Sequence, residues 1–156
     1  MVGDALISRA RVGKQSMEPT FVPGDVLVVN RLAYRFSQPK RGEVITFHYP
    51  LDTSVDYIKR VIGVPGDHIE IIDGKVKVNS SLVDEPYVVY PSADDGAWDV
   101  PQDSLFVMGD NRAVSADSRS WGFVPFEDLI GKVIAQYWPI SRIGLIRTPN
   151  VFLGIN

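Results

Sequence analysis

Hydrophobic and polar positions alternate in short runs along most of the chain. "DVLVVN" (25–30), "GEVITFHY" (42–49), "YIKRVIGV" (57–64), "HIEII" (68–72) and "KVKVN" (75–79) are rich in Val, Ile, Tyr and Phe. A period of two in runs this short is that of a β-strand with one face buried. "PGD" precedes two of these runs. Asp73-Gly74, between "HIEII" and "KVKVN", predicts a tight hairpin, because a two-residue turn of this kind needs positive φ. "LFVMGD" (105–110) and "KVIAQYWPI" (132–140) add two strands, which confines helix to "RLAYRF" (31–36) and "PFEDLI" (125–130). The pattern predicts a mainly β protein with antiparallel pairing. No repeat or low-complexity tract divides it. The longest loop candidate is "YPSADDGAWDVPQD" (90–103), so the reading is one domain with a small excursion near residues 80–103.

Composition narrows the chemistry. With 156 residues, 45% hydrophobic and 22% charged, the chain suits one globular domain with a real core. A net charge of −3 with both signs interspersed gives no field for a polyanion, so nucleic acid is not an expected partner. There is no cysteine, which removes thiol nucleophiles, cysteine metal sites and disulfides. With only His48 and His68, no metal centre is predicted, and no cofactor is implied. No apolar run approaches the roughly 20 residues that cross a bilayer.

One stretch resists a structural explanation: "VGKQSMEPTFVPGD" (12–25), where Ser16 starts neither a helix nor a phosphate loop. A serine nucleophile needs a base. His48 and His68 lie in or beside strands with exposed neighbours, and no G-x-S-x-G elbow accompanies any serine. A lysine can replace histidine only where desolvation lowers its pKa from about 10.4 toward neutrality. Lys40, Lys75, Lys77 and Lys132 sit in turns, on a wet hairpin face or at a strand start. Lys59 differs, since strand alternation places it with Tyr57, Val61 and Gly63 on one face, opposite Ile58, Arg60, Ile62 and Val64.

A second unusual stretch is "MGDNRAVSADSRSWGFVP" (108–125), too polar for a core strand and too dense in hydrogen-bonding groups for an ordinary surface loop. Asp110, Asp117 and Arg119 fit a loop braced by Asp–Arg pairs. Ser115 adds a hydroxyl that could orient a neutral lysine.

These stretches together resemble the type I signal peptidases (peptidase family S26), which use a serine–lysine dyad. The resemblance runs in order through "SMEPTF", "GDVLVVNRLAYRF", "KRGEVITF", "YIKRVIGVPGD" and "GDNRAVSADSRSWGFVP". It implies antiparallel sheets forming a partly open barrel, with Ser16 as nucleophile, Lys59 as general base and Ser115 positioning Lys59. Asp110, Asp117 and Arg119 would brace the site. The oxyanion would meet the Ser16 N–H and a second donor at position 14. Here the chain departs from many bacterial members, which have serine or glycine, and either the backbone or the ammonium of Lys14 could serve. Ala113-Val114 is a further departure, replacing residues that are often polar.

By the same resemblance the substrate is an exported preprotein bound as an extended strand and cut at an A-x-A-like site. Val12, Met17, Phe21, Tyr57 and Ile58 occupy the places that would line its side-chain pockets. The short interval between Lys59 and Gly109 resembles the compact members, with residues 66–103 as the cap. The family works at the extracytoplasmic face of the cytoplasmic membrane, anchored by N-terminal transmembrane helices. None is present in this sequence, so the resemblance implies a catalytic part without its anchor, "MVGDALISRARVG" being the remnant. Trp138 and the terminal "VFLGIN" are candidates for contact with the lipid surface. Two other readings are a self-cleaving serine–lysine peptidase of the SOS-repressor kind and a noncatalytic β domain that binds extended peptides. The first lacks its internal Ala-Gly site here, and the second leaves the joint presence of Ser16 and Lys59 unexplained.

Overall fold

The alternating runs become strands in the computed structural model, which describes residues 6–156. In chain order these are β1 (Ile7–Arg11), β2 (Val26–Asn30), the short helix α1 (Ala33–Phe36), β3 (Val44–Tyr49), β4 (Asp52–Gly63), β5 (His68–Ile72), β6 (Lys75–Val78) and β7 (Ser81–Leu82). There follow β8 (Gly96–Asp99), β9 (Ser104–Met108), α2 (Ser118–Trp121), β10 (Val124–Pro125), β11 (Leu129–Trp138) and β12 (Gly144–Leu145). The larger sheet has the order β1-β2-β11-β3-β4-β9-β10, with β12 added beside β11, and the smaller sheet is β7-β6-β5-β8. Their pairings are antiparallel. The larger sheet ends at β1 and β10 without closing into a barrel.

Position in the sheet decides which strands are buried. β4 runs between β3 and β9, and its second half, Lys59 to Gly63, is buried with apolar clusters on both faces, while residues 52–56 extend into solvent. A bulge between Val61 and Gly63 turns the chain so that Val64 joins Val61 against Phe47 and Leu105 rather than following Ile62. Ile62 packs instead with Ile69, Ile71, Val76 and Val78 of the smaller sheet and with Phe106 and Met108. The two sheets therefore share one apolar cluster.

The Asp73-Gly74 turn has φ of 50° and 77°, as the hairpin requires. Five expectations differ from the structure, two of them because the 90–103 loop carries strand β8 and the polar 108–125 stretch carries the one-turn helix α2, capped by Asp117. "PFEDLI" is only a 3-10 turn at Phe126–Asp128, because Leu129 already pairs with Phe47 in the sheet. The first five residues of "MVGDALISRARVG" lie outside the described residues, and Ile7–Arg11 forms edge strand β1 against β2. That strand buries no side chain completely, so the hydrophobic pattern could not reveal it. The terminal "VFLGIN" is partly core: Phe152 is buried in the cluster shared by the sheets and packs against Gly42, whereas Leu153 and Trp138 stay exposed. Among the described residues no helix is long and apolar enough to cross a membrane.

Candidate active site

The turn that carries Ser16 is pinned at both ends. Val12 N–H donates to the Asp25 carbonyl at 2.8 Å and Gly24 N–H to the Val12 carbonyl at 2.8 Å, closing the loop at its neck. Met17 and Phe21 are buried and hold the turn on the sheet with Val12, Leu27 and Val29. Ser16, between these buried positions and the exposed Lys14 and Gln15, is left half-buried at the surface.

Lys59 comes from the covered part of β4 and is 4% exposed. Its Nζ donates to Ser115 Oγ at 3.2 Å and lies 5.4 Å from the centroid of the Tyr57 ring. Among the described residues, no carboxylate lies within ion-pair distance of it. Burial lowers its pKa from 10.5 to about 8; Asp117 opposes that shift, and the positive charges of Arg119 and Lys14 reinforce it.

The loop after β9 supplies the rest. Ser115 Oγ donates to Asp117 Oδ2 at 2.7 Å. Its one proton is thus committed, and the oxygen faces Lys59 as an acceptor. Asp117 also accepts from Gly109 N–H at 3.0 Å and from Arg119 Nε at 2.8 Å and Nη2 at 2.9 Å, and caps the N-terminus of α2. Burial pushes its carboxyl up, but these bonds outweigh it and hold the group below the ordinary carboxylate range. Gly109 is fixed by crowding, since a Cβ there would collide with Ser115 Oγ and the Ser16 carbonyl.

Of the sequence-predicted residues, Val12, Lys14, Ser16, Met17, Tyr57, Ile58, Lys59 and Ser115 line one groove of about 360 Å³, between residues 11–17 and 55–59. Asp117 and Arg119 stand directly behind it. Phe21 is not in the wall; it is fully buried in the core that supports the turn. Asp110 does not reach Lys59. It receives Arg60 Nε at 2.8 Å and Nη2 at 2.7 Å, and Thr20 Oγ1 at 2.6 Å, so it ties β4 to the serine turn. His48 and His68 are outside the groove, each paired at 2.7 Å with an aspartate, Asp56 and Asp99.

Sequence reasoning missed Arg60 and Asn111. The signal for Arg60 was its place on the inward face opposite Lys59, where an arginine needs a carboxylate partner. Asn111 N–H donates to the Ser16 carbonyl at 2.9 Å and its Nδ2 to the Gln15 carbonyl at 3.2 Å, contacts that depend on the meeting of two distant segments. Chemically, the groove lining presents a half-buried hydroxyl and a buried amine whose pKa burial lowers to about 8.

The profile of the family described as "Signal peptidase, peptidase S26" matches residues 1–138. The probable signal peptidase I-2 of Synechocystis sp. is 40% identical over 148 residues, covering 90% of this chain and 67% of its own length. The signal peptidase I of Leptolyngbya laminosa is 37% identical over 155 residues, covering 92% of this chain and 75% of its own. The crystal structure of a signal peptidase I from Enterococcus faecalis V583 aligns with a TM-score of 0.57 at 29% identity, over 62% of this chain and 97% of that one.

Proposed function

The chain belongs to the signal peptidase family, peptidase S26, as a serine endopeptidase that removes signal peptides, and from this we propose that Ser16 is its nucleophile, Lys59 the general base and Ser115 the hydroxyl that orients the base. The observation that carries the assignment is a lysine buried to 4% exposure whose hydrogen-bond partner is a hydroxyl and not a carboxylate. An ammonium in that place is poorly solvated and Asp117 offsets the cost only in part, so the pKa falls to about 8 and the neutral amine is within reach near that pH.

Because Ser115 accepts from Lys59 and gives its own proton to Asp117, the amine keeps its lone pair for Ser16. Lys59 Nζ takes the Ser16 Oγ proton while Oγ bonds to the scissile carbonyl carbon. The tetrahedral oxyanion is met by the Ser16 N–H and by position 14. The Lys14 ammonium, 5.7 Å from the Tyr57 ring centroid, adds positive charge at the groove. Collapse of the intermediate breaks the C–N bond, and the Lys59 ammonium protonates the departing amine. The neutral amine then deprotonates water, which releases the acyl group and returns the proton to Ser16.

The substrate is an exported preprotein lying extended in the groove between residues 11–17 and 55–59, in the manner of an added strand. Val12, Met17, Tyr57 and Ile58 leave room for small side chains at the −1 and −3 positions of an A-x-A-like site. Phe21 supports this wall from beneath. The working place is the extracytoplasmic face of the cytoplasmic membrane, with exposed Trp138 at the lipid surface.

The test is cleavage of a peptide spanning an A-x-A junction, in detergent or lipid, by the parent chain, Ser16→Ala and Lys59→Ala. Cleavage after the −1 alanine by the parent alone is expected. Cleavage that persists in either variant, or at unrelated positions, overturns the assignment.

A further inference from the structure

The cap reaches the catalytic loop through an acidic side chain that the mechanism above does not use. Arg119 spends Nε and Nη2 on Asp117, but Nη1 points the other way, donating to Asp94 Oδ2 at 2.7 Å, Ser92 Oγ at 3.2 Å and the Arg112 carbonyl at 3.2 Å. A guanidinium is planar and rigid, so a partner on Nη1 also sets the direction of the two bonds on the far side. Asp94 is itself held by backbone: its carbonyl accepts from Gly74 N–H at 2.8 Å. The Asp73-Gly74 turn fits there because Gly74 has no Cβ to strike the Ser92 carbonyl. A continuous path of bonds therefore runs from the cap hairpin through Asp94, Arg119, Asp117 and Ser115 to Lys59.

Resting on the dyad assignment, we infer that Asp94 is a positioning residue for the reaction: through Arg119 it fixes the Asp117 carboxylate that orients Ser115 against Lys59. Exposure along the path supports a tuning role. Asp94 is 53% exposed, Arg119 8% and Asp117 0%, so the bonds pass from water into the site. Asp94 lies outside the groove, in a separate cavity of about 320 Å³ behind Ser115. It can therefore alter the chemical step without touching bound peptide. The same cap segment meets the catalytic loop twice more. Glu85 accepts from Arg112 Nη1 at 2.9 Å and Nη2 at 2.6 Å, and the Tyr90 carbonyl accepts from Ala113 N–H at 3.1 Å.

The experiment measures kcat, KM and the pH profile of peptide cleavage for the full chain, Asp94→Ala, Asp94→Glu and Asp95→Ala. Asp95 carries the same charge in the same loop but bonds Asp73 N–H. For Asp94→Ala, kcat is expected to fall about fivefold with KM unchanged, the scale of a partly exposed ion pair expressed in the chemical step. The acidic limb of the profile is expected to move to lower pH, because Arg119 without its outer carboxylate disfavours a second positive charge at Lys59. Asp94→Glu should recover most of the loss, and Asp95→Ala should match the parent. Added salt should lower kcat in the parent more than in Asp94→Ala. An unchanged kcat and limb in Asp94→Ala, or an equal loss in Asp95→Ala, overturns the positioning role while leaving the dyad intact. Cleavage by Ser16→Ala would overturn the dyad and this role with it.

Discussion

The backbone N–H of Asn111 donates to the carbonyl of Ser16 at 2.9 Å. The turn that presents the hydroxyl is thus joined by backbone to the loop that presents Ser115, which in turn bonds Lys59. Asn111 adds a side-chain bond to the Gln15 carbonyl and accepts from Val114 N–H, so one residue braces both partners of the junction.

Gly109→Ala should remove activity without unfolding the chain. The new methyl meets Ser115 Oγ and the Ser16 carbonyl and pushes the two active segments apart. A displacement near 1 Å costs on the order of 100-fold in rate. Steady-state cleavage should fall by at least that factor while circular dichroism stays that of the parent; retained activity would show that the junction tolerates displacement.

The acidic limb of kcat/KM should lie at about pH 8, where Lys59 of the free enzyme loses its proton. On the proposed role of Lys59, activity should rise through that pH, since only the neutral amine can take the Ser16 proton. Lys14→Ala removes a positive charge that disfavours the ammonium, so its limb should move upward. A limb near 10.5 in the parent would show that Lys59 is not desolvated in solution.

Lys59→Met should stabilise the fold at neutral pH while abolishing cleavage. With the folded pKa at about 8 against 10.5 unfolded, the ammonium costs the native state on the order of 3 kcal/mol below pH 8. Between pH 8 and 10.5 the unfolded chain binds more protons, so stability of the parent rises with pH and the advantage of methionine fades. Thermal melts at pH 7 and pH 10.5 would measure the difference; a gain that does not shrink at the higher pH would assign it to packing.

Arg60→Met should be strongly destabilising. It leaves Asp110, 0% exposed, without its bidentate partner, a loss of about 3–5 kcal/mol. Arg60→Lys should recover only part of the lost Tm, since an ammonium cannot reproduce two parallel bonds. Chemical denaturation of the three proteins would rank them, and equal stability of the lysine variant would contradict the bidentate argument.

The sequence by itself determined the strands whose side chains alternate between core and water, the Asp73-Gly74 turn, and the local motifs that hold Ser16, Lys59 and Ser115. These follow from neighbours along the chain, where a period of two, a positive-φ turn residue or an ordered motif is written directly. It could not show β1, whose Ile7–Arg11 side chains are never fully buried and whose place is set by backbone bonds to β2. Nor could it separate Met17, in the groove wall, from Phe21 in the core below, because both are apolar residues of one turn. Tertiary structure alone decided that Asp110 belongs to Arg60, that Asp117 gathers Ser115, Gly109 and Arg119, and that Arg119 also bonds Asp94. The physical reason is that burial and charge pairing depend on the whole sheet. Lys59 loses its water because the 109–119 loop brings Ser115 onto its amine and the Tyr57 ring lies alongside, and no pattern local to "YIKR" records that.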